Sequence, residues 1–177
     1  YRMEEVFNSA FFKGTVGKKF ESVGLSLTPS YLKQDSIGDD LAGQIDTYQY
    51  GFNTCVKMAG FDLTAFYAKT GDNDLFVPWG DGKVIIQQIN AAGRADEDAY
   101  ALKLGYDFAT LGAKGLSAYI FQGLYDTPDS GPHAASDINE TNLSATYAFA
   151  GGFDGLSLRV RYAIVDYDNE VADDFND

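Results

Sequence analysis

The stretch Tyr48-Gln49-Tyr50-Gly51-Phe52-Asn53-Thr54-Cys55-Val56-Lys57-Met58 decides the fold. Its even positions are almost all apolar or aromatic. Its odd positions carry Gln, Gly, Asn, Cys and Lys. A period of two with one greasy and one polar face is the signature of a β-strand between an apolar medium and a polar one. The same alternation returns along the chain. Tyr100, Leu102, Leu104, Tyr106 and Phe108 alternate with Ala101, Lys103, Gly105 and Asp107. Leu143, Ala145, Tyr147 and Phe149 alternate with polar or small residues, as do Leu156, Leu158, Val160, Tyr162 and Ile164 with Ser157, Arg159, Arg161 and Ala163. Shorter matches lie at Val23 to Thr28, at Leu63 to Ala68 and at Leu116 to Phe121, the last apolar on both faces. The opening stretch from Glu4 to Val16 completes a count of eight strands. Many are about ten residues long, the length of a tilted strand crossing a bilayer.

The connections sharpen the reading. Short turns are expected around Gly17-Lys18-Lys19, at Ala59 to Asp62, at Ala109 to Lys114 and at Ala150 to Asp154. Long polar connections are expected from Lys33 to Asp46, Thr70 to Glu97 and Asp126 to Glu140, with an acidic tail from Asp166. Short and long alternate throughout. An outer-membrane barrel segregates its connections in this way, with turns at the periplasmic end and loops outside. The expected fold is therefore all-β: an antiparallel up-and-down transmembrane β-barrel. Residues 1–177 read as one domain without a linker.

Composition removes several function classes. A net charge of −13 argues against nucleic acid, whose phosphates require clustered Lys and Arg. No run approaches the roughly 18 apolar residues of a membrane-spanning helix. With 13 Phe, 12 Tyr and 19 Gly the chain is aromatic and β-rich, unlike disordered sequences. The single cysteine, Cys55, makes neither a disulfide framework nor a zinc site. No EF-hand spacing occurs, and Gly71 to Gly82 lacks phosphate-binding spacing, so neither metal nor cofactor is expected. The single histidine, His133, sits in the turn-rich stretch Asp129-Ser130-Gly131-Pro132-His133. No nucleophile, base and orienting group accompany it, so enzymatic activity is not expected. The chain begins at Tyr1 and shows no signal peptide at its start, which suggests a processed precursor or a piece of a longer protein.

Most acids, among them Asp72, Asp74, Asp96, Glu97 and Glu140, fall in the long connections. They either solvate exposed loops or form a cation-attracting vestibule or divalent bridges to lipid phosphates. Tyr31, Tyr48, Tyr67, Tyr100, Tyr162 and Tyr167 lie near strand ends on the apolar parity. That placement suits an interfacial girdle, and equally cross-strand packing. Arg159 and Arg161 lie two apart, opposite Leu158, Val160 and Tyr162, so both project from the polar face. Lys57 and Lys103 share that parity. These four cations either line a pore and attract anionic or zwitterionic solutes, or pair with inward acids such as Asp107. Gly24, Gly51, Gly105, Ser117, Ser144, Ala148 and Ser157 keep the inner parity small. Small inner residues suit a wide wall better than the filled interior of a small barrel.

Four segments run in order over nearly the whole chain: Asp40-Leu41-Ala42-Gly43-Gln44-Ile45-Asp46-Thr47-Tyr48; Leu63 to Asp72 followed by Pro78-Trp79-Gly80; Gly115-Leu116-Ser117-Ala118-Tyr119; and Gly155 to Ala163. Together they resemble the OprD (porin D) family of outer-membrane porins. The resemblance implies a barrel of about 18 strands in the Gram-negative outer membrane, among lipid and lipopolysaccharide, often as homotrimers. It implies passive passage of small carboxylates, amino acids or peptides. It makes this chain the C-terminal portion without its final strand, ending in an outer loop at Asp173-Asp174-Phe175-Asn176-Asp177. By the same resemblance, Thr70 to Glu97, with Asp72, Asp74, Pro78 and Trp79, corresponds to a loop that narrows the channel, and Arg159 and Arg161 fall where the family places a basic ladder. The rival readings are a small structural or adhesion barrel and a soluble ligand-binding β-sandwich.

Overall fold

Alternation of side chains fixes which backbone edge each residue offers to its neighbours, and ten strand segments have joined through those edges into one antiparallel sheet. The computed structural model describes residues 2–39, 41, 43, 45–77 and 82–168. Asp173 to Asp177, expected as an outer loop, lie outside them, as do Pro78 and Trp79. The strands are β1 (Arg2–Met3), β2 (Phe7–Lys13), β3 (Val16–Phe20), β4 (Val23–Ser36), β5 (Thr47–Met58), β6 (Phe61–Thr70), β7 (Asp98–Asp107), β8 (Leu116–Asp126), β9 (Ile138–Ala148) and β10 (Ser157–Tyr167). Each pairs with the next in sequence, except that β2 and β3 both pair with β4.

β2 and β3 are one strand with a break, and the break corrects the expected turn at Gly17-Lys18-Lys19. Those residues belong to β3, opposite Ser26, Leu25 and Gly24. The turn is at residues 21–22, with Glu21 at φ +48°. The interruption lies at residues 14–15, opposite Pro29. The Pro29 carbonyl accepts from Gly14 N at 3.2 Å, but proline has no N–H to return on the same edge. Counted this way, and leaving aside the two-residue β1, eight strands cross the sheet, as the alternation predicts.

The connections separate by end. At one end are 21–22, 59–60, 108–115 and 149–156; at the other are 37–46, 71–97 and 127–137. The β5–β6 turn holds Ala59 at φ +49° and Gly60 at φ +87°. Positive φ at both central residues is the type I′ geometry whose twist matches a hairpin. Several strands run further than expected: β4 to Ser36, β9 back to Ile138 and β10 on to Tyr167. Asp35, Asp126, Glu140 and Asp166 are therefore strand residues, not loop acids. Phe108, expected to end β7, instead begins a short 3-10 turn, Phe108–Leu111, capped by Asp107 through Ala109 N.

The two faces differ as their parity requires. Leu102, Val160 and Tyr162 are 51%, 62% and 62% exposed, whereas Ala99 and Ala101 on the other parity are 0% and 8%. Register aligns Leu25, Val56, Leu63, Leu104, Ile120, Leu143 and Tyr162 in one continuous apolar row on the outward face. Aromatic contacts cluster at both ends of this face. Tyr48, Tyr50, Tyr67 and Tyr100 touch in succession at the long-loop end, and Phe61, Tyr106 and Phe108 at the short-turn end. For Tyr48, Tyr67 and Tyr100 interfacial placement and cross-strand packing are thus compatible, whereas Tyr162, expected near a strand end, lies midway along β10 in the row of Leu104. Among the described residues the sheet runs from β1 to β10 without closing.

Gly51 lies where adjacent backbones approach. A Cβ there would meet the Tyr67 carbonyl oxygen at 2.1 Å and Val84 Cγ2 at 3.0 Å. Gly51→Ala is expected to lower barrel stability by about 1–3 kcal/mol, the range for overpacking that the backbone must absorb. A urea titration of the folded porin in lipid vesicles, read by heat-modifiable mobility, measures it; an unchanged midpoint refutes the close approach.

Candidate functional site

The inner, polar parity does not stand bare at the long-loop end. The 71–97 connection folds back across it and is hydrogen-bonded to side chains or carbonyls of β4, β5, β8, β9 and β10. Gln34 of β4 donates to Phe76 O at 2.7 Å and accepts from Phe76 N at 3.0 Å, as a neighbouring strand would. Gln49 of β5 accepts from Val84 N at 3.0 Å. Gln87 Nε2 donates to Phe121 O on β8 at 3.0 Å and to Glu140 O on β9 at 3.1 Å, and Tyr125 OH donates to Gln87 Oε1 at 2.9 Å. Gln88 Nε2 reaches Tyr162 O on β10 at 3.4 Å. Beneath the loop, Ile85 and Ala92 pack with Ala68, Ala99, Ala101, Phe121, Tyr125 and Ile138. This cluster explains why β8 is apolar on both faces. One face turns outward; the other seats the loop.

The loop tip is a small hairpin. Ile86 bridges Ala91, and Gln87 N donates to Asn90 O at 2.8 Å. The turn aims three successive amides at Glu140, a fully buried carboxylate. Glu140 Oε1 accepts from Gln88 N and Ile89 N, both at 3.0 Å, and from Asn142 Nδ2 at 2.6 Å. Glu140 Oε2 accepts from Asn90 N and Asn90 Nδ2, both at 2.8 Å. Gly123 lies under this tip, and a Cβ there would meet Gln87 Oε1 at 2.0 Å. The absent side chain makes room for the tip.

At the mouth, two long connections are tied together. Arg94 donates to Glu97 Oε2 at 2.6 Å, to Ser136 O at 2.6 Å and to Tyr125 O at 3.0 Å. Glu97 also accepts from Gly93 N at 2.7 Å. His133 Nδ1 lies 2.7 Å from Asp96 Oδ2, so this histidine links the two loops instead of standing free in solvent. A cavity of about 550 Å³ opens here, lined by Asp72, Asp74, Phe76, Arg94 and His133 among others. Asp74 accepts from Ala95 N at 2.7 Å. Burial pushes the nearby Lys83 ammonium below the usual lysine range, against the pull of Glu97 and Asp74.

The four cations read from the sequence lie on the inner parity, toward the short-turn end. Register places Arg161 in a row with Ser144, Tyr119, Gly105, Asp62 and Lys57. Arg159 lies one row nearer the turns, beside Thr146, and Lys103 one row nearer the loop, beside Phe121. Their partners differ. Lys57 Nζ is 2.9 Å from Asp62 Oδ2, an ion pair within the wall. Lys103 Nζ stands 4.4 Å from the Tyr119 ring centroid. Arg159 Nε donates to Thr146 Oγ1 at 3.3 Å. Neither arginine has an acidic partner among the described residues. Ser144 Oγ, in the Arg161 row, is buried without a hydrogen-bond partner.

Among the anchoring residues, Gln34, Gln49, Gln87 and Asn142 carry no mark in the sequence, and Glu140 reads there only as a loop acid. A signal existed: amide and carboxylate side chains recur on the inner parity near the loop ends of three strands, β4, β5 and β9. It is masked because Gln34 and Glu140 fall inside the polar stretches Lys33 to Asp46 and Asp126 to Glu140, whose composition reads as loop although β4 and β9 run into them.

With this geometry in view, known structures can be compared. The fold is similar to that of the Pseudomonas aeruginosa porin OccK1 (OpdK), with a TM-score of 0.85 at 17% identity, covering 94% of this chain and 46% of that one. It is equally similar to OccK10 (OpdN), TM-score 0.85 at 19% identity over 94% and 50%. OccK3 (OpdO) gives 0.84 at 20% over 95% and 46%. The chain thus spans about half the length of these porins. No curated protein matches it. The family model described as outer membrane porin, OprD family, matches residues 1–177. This chain belongs to the OprD family of outer-membrane porins.

Proposed function

We propose that this chain forms part of the wall of an outer-membrane channel through which small carboxylate-bearing solutes diffuse passively. In this reading the 71–97 connection, with Asp72, Asp74, Pro78 and Trp79, narrows the path. Arg159, Arg161 and Lys103 then guide solutes along the wall below it, while Lys57 is largely balanced by Asp62. The observation that carries the reading is the pairing of a loop packed across the inner face with two arginines on that face that have no acidic partner among the described residues. OpdK, a structural relative, has been solved with vanillate, an organic anion. The apolar rows would face lipid and outer-leaflet lipopolysaccharide, and the complete protein would pack as homotrimers.

Water in a pore screens fixed charge, with a Debye length of about 10 Å at 0.1 M salt. Contacts must also stay weak enough to release the solute. Replacing Arg159 and Arg161 together by Gln in the complete porin should therefore lower anion over cation permeability modestly, by about 1 kcal/mol or less per arginine. Reversal potentials across a salt gradient read the change, which should be largest at low ionic strength. Coincident values for wild type and the double variant would remove both arginines from the solute path.

A further inference from the structure

We propose that Glu140 is the latch that holds the loop tip across the path, and that its protonation frees the tip, so that the channel opens further in acid. The inference rests on the reading of 71–97 as the constriction. Glu140 meets five N–H donors on two oxygens, three of them successive amides of the tip hairpin. A carboxylate has about four lone-pair sites, and these donors engage both oxygens. A proton on either oxygen must face an N–H. The five donors favour the ionised form over the acid, so docking weakens as the medium is acidified.

The surroundings leave Glu140 as the group that titrates within the latch. The tip contributes only amides, from Gln87, Gln88 and Asn90. β9 contributes Asn142, and β10 presents Val165 directly opposite. β8 contributes Gly123 and Tyr125, whose hydroxyl is engaged with Gln87. Beyond Tyr125 stand Arg94 and Glu97, already paired with each other. Of the remaining anchors, Gln34, Gln49 and Thr47 carry no charge, Lys69 Nζ donates to the Asp96 carbonyl, and His133 bonds Asp96 at the mouth. None of these touches Glu140, so the tip can come free while the outer part of the loop keeps its own attachments.

The test is single-channel recording of the complete porin in planar bilayers at neutral and acidic pH. Wild type, Glu140→Gln, Asn90→Asp and a variant lacking the tip 86–91 are compared. Glutamine keeps one acceptor but turns an NH₂ toward the remaining amides. Glu140→Gln should spend at least about tenfold more time in the high-conductance state, the effect of losing one charge-assisted hydrogen bond. It should also lose the acid response. Asn90→Asp leaves every strand untouched and sets a second carboxylate against Glu140. It should be open at neutral pH and recover the low level on mild acidification, when the two carboxyls share a proton. That inverted pH profile is not expected of a residue with a merely structural role. If Glu140→Gln fails to assemble, Asn90→Asp decides alone. Wild-type conductance for Asn90→Asp at neutral pH overturns the latch. If the variant lacking 86–91 itself conducts like wild type, the constriction reading falls and takes the latch with it. If that variant conducts more but the Glu140 and Asn90 variants do not, only the latch falls.

Discussion

Leu104→Arg is expected to block assembly of the porin while Lys103→Leu, one residue away, leaves assembly intact. Leu104 stands in the outward row between Leu63 and Ile120, and it is 40% exposed on the face left open by the sheet. Tyr100 and Tyr106 share its parity and flank it along β7, marking the two interfaces, so Leu104 falls in the hydrocarbon between them. An arginine near the midplane on the lipid face costs about 2–4 kcal/mol. That corresponds to a roughly 30-fold to nearly 1,000-fold loss in the folded-to-unfolded ratio. Lys103 has the opposite parity and lies over the Tyr119 ring. Removing its charge alters the path but places nothing polar in lipid. The readout is the heat-modifiable fraction of the complete porin after refolding into phospholipid vesicles. Equal yields for the two variants, or the reverse ranking, would invert the assignment of faces.

That contrast rests on parity, and parity was the part of the fold most legible in the sequence. Tyr48 to Met58 alternates cleanly because one medium lies on each side of the strand. Where three environments meet, the alternation weakens, although Leu116 to Phe121 still reads as a strand. Tyr119, Phe121 and Tyr125 look like lapses in alternation, yet they are the apolar seat of a loop that fills the inner side at that level. Gly51 reads in the sequence as a sign of a wide wall, and Gly123 stands on the same inner parity. Their hypothetical Cβ atoms instead meet Val84 and Gln87 of the folded-in loop. The turn misplaced at Gly17-Lys18-Lys19 has a different cause. Gly17 reads as a turn residue, but it lies within β3, split from β2 at the Pro29 position whose N–H is missing, and the turn itself is made at Glu21, with φ +48°. Glu140 reads as a loop acid because carboxylates usually solvate exposed connections. A buried carboxylate is tolerated only when its hydrogen bonds are satisfied, and its donors come from residues about fifty positions earlier. No local pattern reveals such a partner.

Removing the tip should enlarge the channel more than any single substitution in the wall. The excision can be made cleanly. Ala92 N already donates to Ile85 O at 3.0 Å, so joining residues 85 and 92 through Asn-Gly closes the hairpin with a turn of the favoured type. Ile85 and Ala92 keep their packing, and Gln34, Gln49 and Arg94 keep their bonds to the rest of the loop. What leaves is the segment that bridges β8, β9 and β10, including the amides around Glu140. Conductance should rise, and larger solutes should pass. Glu140 and Asn142 would then face water on the wall. With the four tip donors gone and only Asn142 Nδ2 left beside it, the Glu140 carboxylate becomes an uncompensated negative charge on the path. Selectivity should therefore shift toward cations, most clearly at low salt, where a charge acts across a wider part of the lumen. The two effects separate when Glu140→Gln is added to the shortened channel: the conductance gain should persist and the cation preference should fade. A shortened channel with wild-type conductance would mean that the tip lies outside the narrowest part of the path. A gain in conductance without a change in reversal potential would mean that Glu140, once uncovered, stands too far from the ion stream to act on it.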